Sequence, residues 1–261
     1  MFICFVCNAE TEASKDGLIQ GVSNGAKNVA TKEGLARVRK TATDLVDVLD
    51  LAKPENVYLY SGDQIRCLQT SLALADVLKS NNLLLDRNMF IDSRLNGRDY
   101  GKFEGMKESE IKTLKYAVKH PKQYISYALA QAGFNKASSI EPLDDYAGKV
   151  FSIINALFKE HEWSDNNVVI VSSTPDVFKV MRSHRYLSNL CYCGSNPNMH
   201  SIYLQDEVKP GDSRFVEVNQ VKGITSDCSL LFDSDLQETR RFPKGMSLDA
   251  LTKLGHALGD E

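Results

Sequence analysis

Apolar residues along the chain fall into short blocks separated by longer stretches with helical spacing. Residues 2–7 form an apolar run stopped by Asn8, Glu10 and Glu12, which predicts a buried first strand. Residues 15–31 are a Gly- and Asn-rich loop. Thr31 ahead of Lys32-Glu33-Gly34 reads as the N-cap of a helix, with Leu35, Val38, Leu45, Val46, Val48 and Leu49 on its apolar side. Val57 to Tyr60 is a second strand, followed by a turn at Ser61-Gly62-Asp63. A helix from Gln64 to about Lys79 carries Ile65, Leu68, Leu72, Ala75 and Leu78 on one side. Asn88 to Ile91 reads as a third strand, Leu143 to Glu160 as a helix, Val168 to Ser172 as the clearest buried strand, and Asp176 to Leu187 as a helix. Ser201 to Val208 and Arg214 to Val221 read as strands at a sheet edge, joined through a turn at Pro210-Gly211-Asp212.

Strands alternating with helices predict a three-layer α/β/α sandwich around a mostly parallel sheet. Residues 93–140 lack a strand pattern and hold helical stretches at Glu108–Lys119 and Gln123–Ala132, which reads as an inserted helical cap. The expected division is one domain over residues 1–232 and a C-terminal extension over 233–261, a docked helix or a partner-binding segment. In sheets of this kind ligands sit at the carboxyl ends of the strands. The loops after residues 7, 60 and 172 are therefore the ones that carry chemistry.

Composition narrows the picture in a few places. The 261 residues have 43% hydrophobic and 25% charged content, so the core needs no disulfide or metal staple. A net charge of −3 gives no basic excess of the kind nucleic-acid binding produces. No window approaches the roughly 20 apolar residues of a membrane span, and the start has neither the length nor the basic region of a secretory leader. A cytoplasmic location follows as an expectation. The six cysteines then read as free thiols. Cys191-Tyr192-Cys193 lacks the further ligands a zinc site requires. No metal and no cofactor are expected.

The three loops resemble the signature segments of the histidine phosphatase (phosphoglycerate mutase-like) superfamily. Phe5-Val6-Cys7-Asn8-Ala9-Glu10-Thr11-Glu12 is similar to its opening strand and R-H-G-E-T. Ile19-Gln20-Gly21 stands where I-Q-G is common, and Thr31-Lys32-Glu33-Gly34 resembles T-E-K-G. Ser61-Gly62-Asp63-Gln64-Ile65-Arg66-Cys67-Leu68-Gln69-Thr70 resembles S-S-D-L-x-R-A-x-Q-T. Arg94-Leu95-Asn96-Gly97-Arg98-Asp99-Tyr100-Gly101-Lys102-Phe103-Glu104-Gly105 resembles L-N-E-R-x-Y-G-x-x-x-G. Val169-Ile170-Val171-Ser172-Ser173-Thr174-Pro175 occupies the place of V-V-S-H-G-G. The segments occur in the family's order over about residues 1–190.

The resemblance implies a mechanism in which one histidine attacks phosphorus, two arginines and a second histidine hold the oxygens, and a glutamate protonates the leaving group. The nucleophile's position falls on Asn8, whose delocalised amide lone pair does not attack phosphorus. The first arginine falls on Cys7, the following glycine on Ala9 and the acid on Gly97. The second histidine falls on Ser173, with Thr174 and Pro175 after it. Ser14 stands where an asparagine is common. Only Arg66 survives from the cradle. Residues of such a site act as a unit, so these losses together imply a pseudoenzyme.

Cys7, Asn8, Ser14, Arg66, Gly97, Ser173 and Thr174 thus outline a vestigial phosphate pocket with no catalytic residue. Arg66 is either an anion contact or the partner of a carboxylate such as Glu10. Arg98 and Lys102 either face the pocket mouth or, the favoured reading, are solvated. Glu104 is a weak candidate for a displaced acid, and the histidines, His184 included, have no catalytic partner in the pattern. The function expected is binding of a partner protein or a small phosphorylated ligand, a homodimer being compatible, or a scaffold whose pocket is filled. The alternative is an active phosphohydrolase using Cys7 or another group.

Overall fold

The computed structural model describes residues 2–107, 110, 140–161, 167–178, 180, 210, 213–217, 239–243 and 246–257. Strand β1 (Phe2–Cys7) is followed by a short helix α1 (Glu12–Lys15), helix α2 (Lys32–Ala52), strand β2 (Asn56–Ser61) and helix α3 (Ile65–Ser80). Next come β3 (Met89–Ile91), α4 (Leu143–Glu160), β4 (Asn167–Ser173), β5 (Ser213–Glu217), β6 (Arg240–Arg241) and α5 (Leu248–Ala257). The strands form one sheet in the order β5-β1-β4-β2-β3-β6. The four central strands run parallel, and β5 and β6 close the two edges antiparallel. This is the mostly parallel α/β sandwich that the alternating pattern predicts.

The alternation of β1 shows how the sequence builds the layers. Ile3, Phe5 and Cys7 face a core shared with α4 and the residues after β4. Cys4 and Val6 face the opposite core, shared with α2, α3 and α5. A strand buried on both faces reads as a continuous apolar run, and β4 is buried at all of its residues, Asn167 to Ser173. Thr31 caps α2 as expected, its Oγ1 accepting from Gly34 N at 2.9 Å.

The differences from expectation are local. Gln64 is the N-cap of α3 rather than its first residue, and β3 starts at Met89 because Asp86–Asn88 form a single 3₁₀ turn. The short β6, with two arginines and no apolar residue, carries no strand pattern, yet it pairs with Phe90 and Ile91. Buried Asp92 anchors it. That carboxylate accepts from Arg94 Nε at 2.9 Å and Nη2 at 2.7 Å, and from Thr239 Oγ1 at 2.5 Å. Beyond it, α5 lies on α3, with Leu251 buried and Gly255 against Val29, where a Cβ would overlap the valine methyl. The helices expected at Glu108–Lys119 and Gln123–Ala132, and the strand expected at Ser201–Val208, lie outside the described residues. No described helix is long and apolar enough to cross a membrane.

His161 ends α4 away from the signature loops. Its Nε2 lies 2.9 Å from Tyr60 Oη, and its ring stacks on Tyr58 at 3.8 Å. Burial raises the Tyr60 phenol far above its usual range, so the phenol donates and Nε2 accepts. Burial also lowers the imidazole from 6.5 to about 4. The unfolded chain therefore takes up a proton below about pH 6.5 that the native chain refuses until about pH 4. Stability is unaffected above that window and falls through it as pH drops, by on the order of 3 kcal/mol in full. Urea midpoints measured at pH 7.5 and pH 4.5 are expected to fall less for His161→Gln than for wild type. Equal falls would show that this imidazole does not stay neutral.

Candidate functional site

The parallel strands end together. Cys7 of β1 pairs in register with Ser173 of β4, and Ser61 of β2 with Ser172. Asn8 leaves β1 with its N–H donating to Ser173 O at 2.8 Å, and its side-chain Nδ2 donates to Ala9 O at 2.9 Å. Ala9 N donates to Thr70 Oγ1 at 2.7 Å, which ties the loop after β1 to α3. Ser173 Oγ donates to Leu95 O. The amide of Asn8 and the hydroxyl of Ser173 are therefore bonded to the protein's own backbone. Cys7 is wholly buried in the core that includes Phe5 and Val171.

Arg66 lies 3% exposed in the first turn of α3. Its Nη2 donates to Gly21 O at 2.6 Å and to Gln64 Oε1 at 3.1 Å, and its Nη1 to Ser23 O at 3.1 Å. Burial pulls its pKa down, with Glu104 and Asp176 among the groups acting in the opposite sense. Gln64 closes the arrangement: Nε2 donates to Gly21 O at 2.7 Å, and Oε1 accepts from Gly97 N at 2.9 Å. Glu10, the carboxylate in one of the two alternative roles for Arg66, is instead 2.8 Å from Arg37 Nη2. That alternative fails because Arg66 turns to the 21–23 loop, whose backbone carbonyls serve as its acceptors.

Gly97, which the resemblance sets at the acid position, is closely surrounded. A Cβ there would lie 2.9 Å from Gly21 O, 3.3 Å from Arg66 Nη2 and 3.3 Å from Thr174 Cγ2. The space a side chain would take is filled by the loop carbonyl. Glu104 holds that loop from the other side. Its Oε1 accepts from Val22 N at 2.9 Å and Tyr100 N at 3.1 Å, and its Oε2 accepts from Ser23 Oγ. Its carboxylate fastens a loop and has no displaced-acid geometry.

Arg98 overturns the solvated reading. It is 0% exposed because residues 96–99 turn inward. Its Nε donates to Glu141 O at 2.8 Å, and its Cζ sits 5.7 Å from the Tyr100 ring centroid. Neither Nη1 nor Nη2 meets a hydrogen-bond partner among the described residues, and Thr174 Oγ1 meets none at hydrogen-bond geometry. Tyr100 Oη donates to Asp176 Oδ2 at 2.9 Å. Tyr146 Oη donates to Asn96 O at 3.0 Å. Lys102 is exposed and rests over Phe103 at 5.5 Å. Ser14 belongs to the capping box of α1 with Thr11. Neither joins the site.

Cys7, Asn8, Arg66, Gly97, Ser173 and Thr174 thus converge at the strand ends, with Arg98 beside them. Sequence reasoning missed Gly21, Ser23, Gln64, Tyr146 and Asp176. Gln64 was detectable, since it replaces the leucine of S-S-D-L-x-R with a group that bonds at both ends. The cysteines Cys4 and Cys67 are free, and burial pushes their thiols up to about 12 and about 11. No group of three metal-ligating side chains occurs among the described residues. His120, His184 and His200, like Cys191 and Cys193, lie outside them.

The family model described as histidine phosphatase superfamily (branch 1) matches residues 3–182. No curated protein matches the chain in sequence. Among solved structures, a mycobacterial glucosyl-3-phosphoglycerate phosphatase is similar at TM-score 0.58 and 14% identity, over 83% of this chain and 89% of that one. YhfR from Bacillus stearothermophilus gives TM-score 0.58 and 15% identity, over 84% and 92%. A phosphoserine phosphatase mutant from Entamoeba histolytica gives TM-score 0.54 and 16% identity, over 82% and 89%. At these identities the likeness establishes a shared fold.

Crowding at Gly97 has a measurable cost. Gly97→Ala is expected to lower unfolding stability by about 1–3 kcal/mol, the range for forcing extra atoms into a packed site. Urea denaturation checks this, and an unchanged midpoint would mean that the loop carbonyl does not sit against residue 97.

Proposed function

The chain belongs to the histidine phosphatase superfamily, and from that premise we propose that it is a non-catalytic member that binds a small oxyanion at Arg98. The observation that carries the reading is the pair of buried Arg98 nitrogens, Nη1 and Nη2, without partners among the described residues. A buried guanidinium with open donors costs free energy until an acceptor meets it. Its planar fork matches a carboxylate or a phosphate edge in bidentate geometry. Tyr100 covers one face of the cation.

The absence of turnover follows from chemistry at four positions. Asn8 offers an amide in place of a nucleophile, Cys7 and Ser173 remove two cationic groups, and Gly97 removes the proton donor. Solved relatives are described as phosphatases of glucosyl-3-phosphoglycerate and of phosphoserine. Here the arginine that would hold such a phosphate donates to Gly21 and Ser23. Catalysis by Cys7 would require an activated thiolate, and that side chain lies in the apolar core with Phe5 and Val171.

Purified protein is expected to release no phosphate from p-nitrophenyl phosphate or a phosphoglycerate above a Cys7→Ala control. Calorimetry is expected to detect binding of acetate or orthophosphate that Arg98→Met weakens roughly ten- to a hundredfold, as for loss of a charge-assisted pair. Turnover above the control, or anion binding indifferent to Arg98→Met, would defeat the reading.

A further inference from the structure

Arg66 is the one cradle group retained from the family pattern, and the 21–23 loop covers it with neutral acceptors. The loop is tied at both ends. Ile19 N donates to Met106 O at 3.0 Å, Gly105 N to Ile19 O at 2.8 Å, and Ala30 N to Gln69 Oε1 at 2.8 Å. Between the ties lies irregular chain ending in the Ala26–Asn28 turn, and Val22 at its tip is 40% exposed. A backbone carbonyl carries only a partial charge. An oxyanion in the same place would make charge-assisted hydrogen bonds of about twice the strength. The loop keeps its position through interactions made elsewhere.

Glu104 supplies them. One carboxylate accepts the N–H groups of Val22 and Tyr100 and the hydroxyl of Ser23. Its access depends on Gly21, which has φ +51° and at which a Cβ would overlap Glu104 Oε1. Gly21 therefore lets one peptide serve twice, with its carbonyl on Arg66 and its α-carbon against the latch. Asn24 Oδ1 adds a second fastening by accepting from Ile65 N at 3.0 Å.

We propose that residues 21–23 form an autoinhibitory plug, latched by Glu104, whose carbonyls occupy the Arg66 guanidinium in place of an external oxyanion. Opening the latch exposes a second anion site at Arg66. The plug rests on the reading of the chain as an anion binder only in the choice of probe, because the test removes Arg98 first.

The probe is orthophosphate, measured by calorimetry. In an Arg98→Met background, adding Glu104→Ala is expected to raise orthophosphate affinity at least about tenfold, the effect of one new charge-assisted hydrogen bond. Gly21→Ala, which breaks the same latch from the other side, is expected to do likewise. Arg66→Met added to either is expected to abolish the increase. No increase with either latch variant, or an increase that survives Arg66→Met, overturns the plug. Loss of wild-type anion binding in Arg98→Met tests the proposed function separately, so the two ideas can fail independently. Should the latch variants not fold, hydrogen exchange on the unmodified protein decides. The Val22 and Tyr100 amides are expected to exchange faster as orthophosphate rises, and unchanged exchange at saturation overturns the proposal.

Discussion

A guanidinium taken out of water must find acceptors, and the placement of Arg66 dictates much of what surrounds it. Among the described residues, the fold meets that demand without a carboxylate in contact. Two carbonyls from one loop and one amide oxygen from Gln64 take the Nη hydrogens. An acidic partner would have formed a buried ion pair, with its own desolvation cost. Backbone oxygens avoid a second buried charge, but they require the 21–23 loop to come within hydrogen-bond distance of α3.

That approach reorganises the neighbouring positions. Gly97 is needed because any side chain there would run into Gly21 O, and Gly21 is needed because a Cβ there would run into Glu104. Gln64 joins the two glycine-bearing segments by donating to Gly21 O and accepting from Gly97 N. In the sequence, Gly97 is an absent acid. In the packing, the same glycine is a steric allowance for a loop. Gly21, Gln64, Gly97 and Glu104 therefore belong to one arrangement at the strand ends, in which a loop carbonyl fills the space beside residue 97.

The frame was legible from periodicity. The apolar runs at 2–7 and 167–173 are strands buried on both faces, and the Thr31 cap and the α3 stripe fixed their helices within a residue or so. The resemblance brought Cys7, Asn8, Gly97 and Ser173 to one spot, and the long-range register of β1 with β4 sets Cys7 beside Ser173 at the strand ends. What eluded sequence reasoning was the direction of long side chains. Arg98 sits between small and polar residues in a stretch without periodicity, so nothing in the pattern marks it as buried. Its inward course is set by Glu141 O and the Tyr100 ring, partners 43 residues and two residues away. For Arg66 the motif left an anion contact and a carboxylate such as Glu10 both open, whereas Glu10 pairs with Arg37 from α2, and Arg66 donates to loop carbonyls. The edge strand β6 was invisible for a related reason. Its place follows from Thr239 and buried Asp92, a polar interaction that hydrophobic pattern cannot report.

The two arginines carry opposite consequences for the site. Arg66, inherited in sequence, donates inward to the protein's own carbonyls. Arg98 keeps only its Nε on a carbonyl, and its two terminal nitrogens remain without partners among the described residues. Restoring an imidazole at position 8 would accordingly leave a phosphate without its principal cation, since Gly21 O already occupies the approach. Restoring the acid at position 97 would collide with that same oxygen. Each repair depends on first displacing the loop, and the loop is held by a carboxylate that touches neither position. The carboxylate of Glu104, through Val22 N, Tyr100 N and Ser23 Oγ, holds the loop whose carbonyl meets both Arg66 and the space beside Gly97.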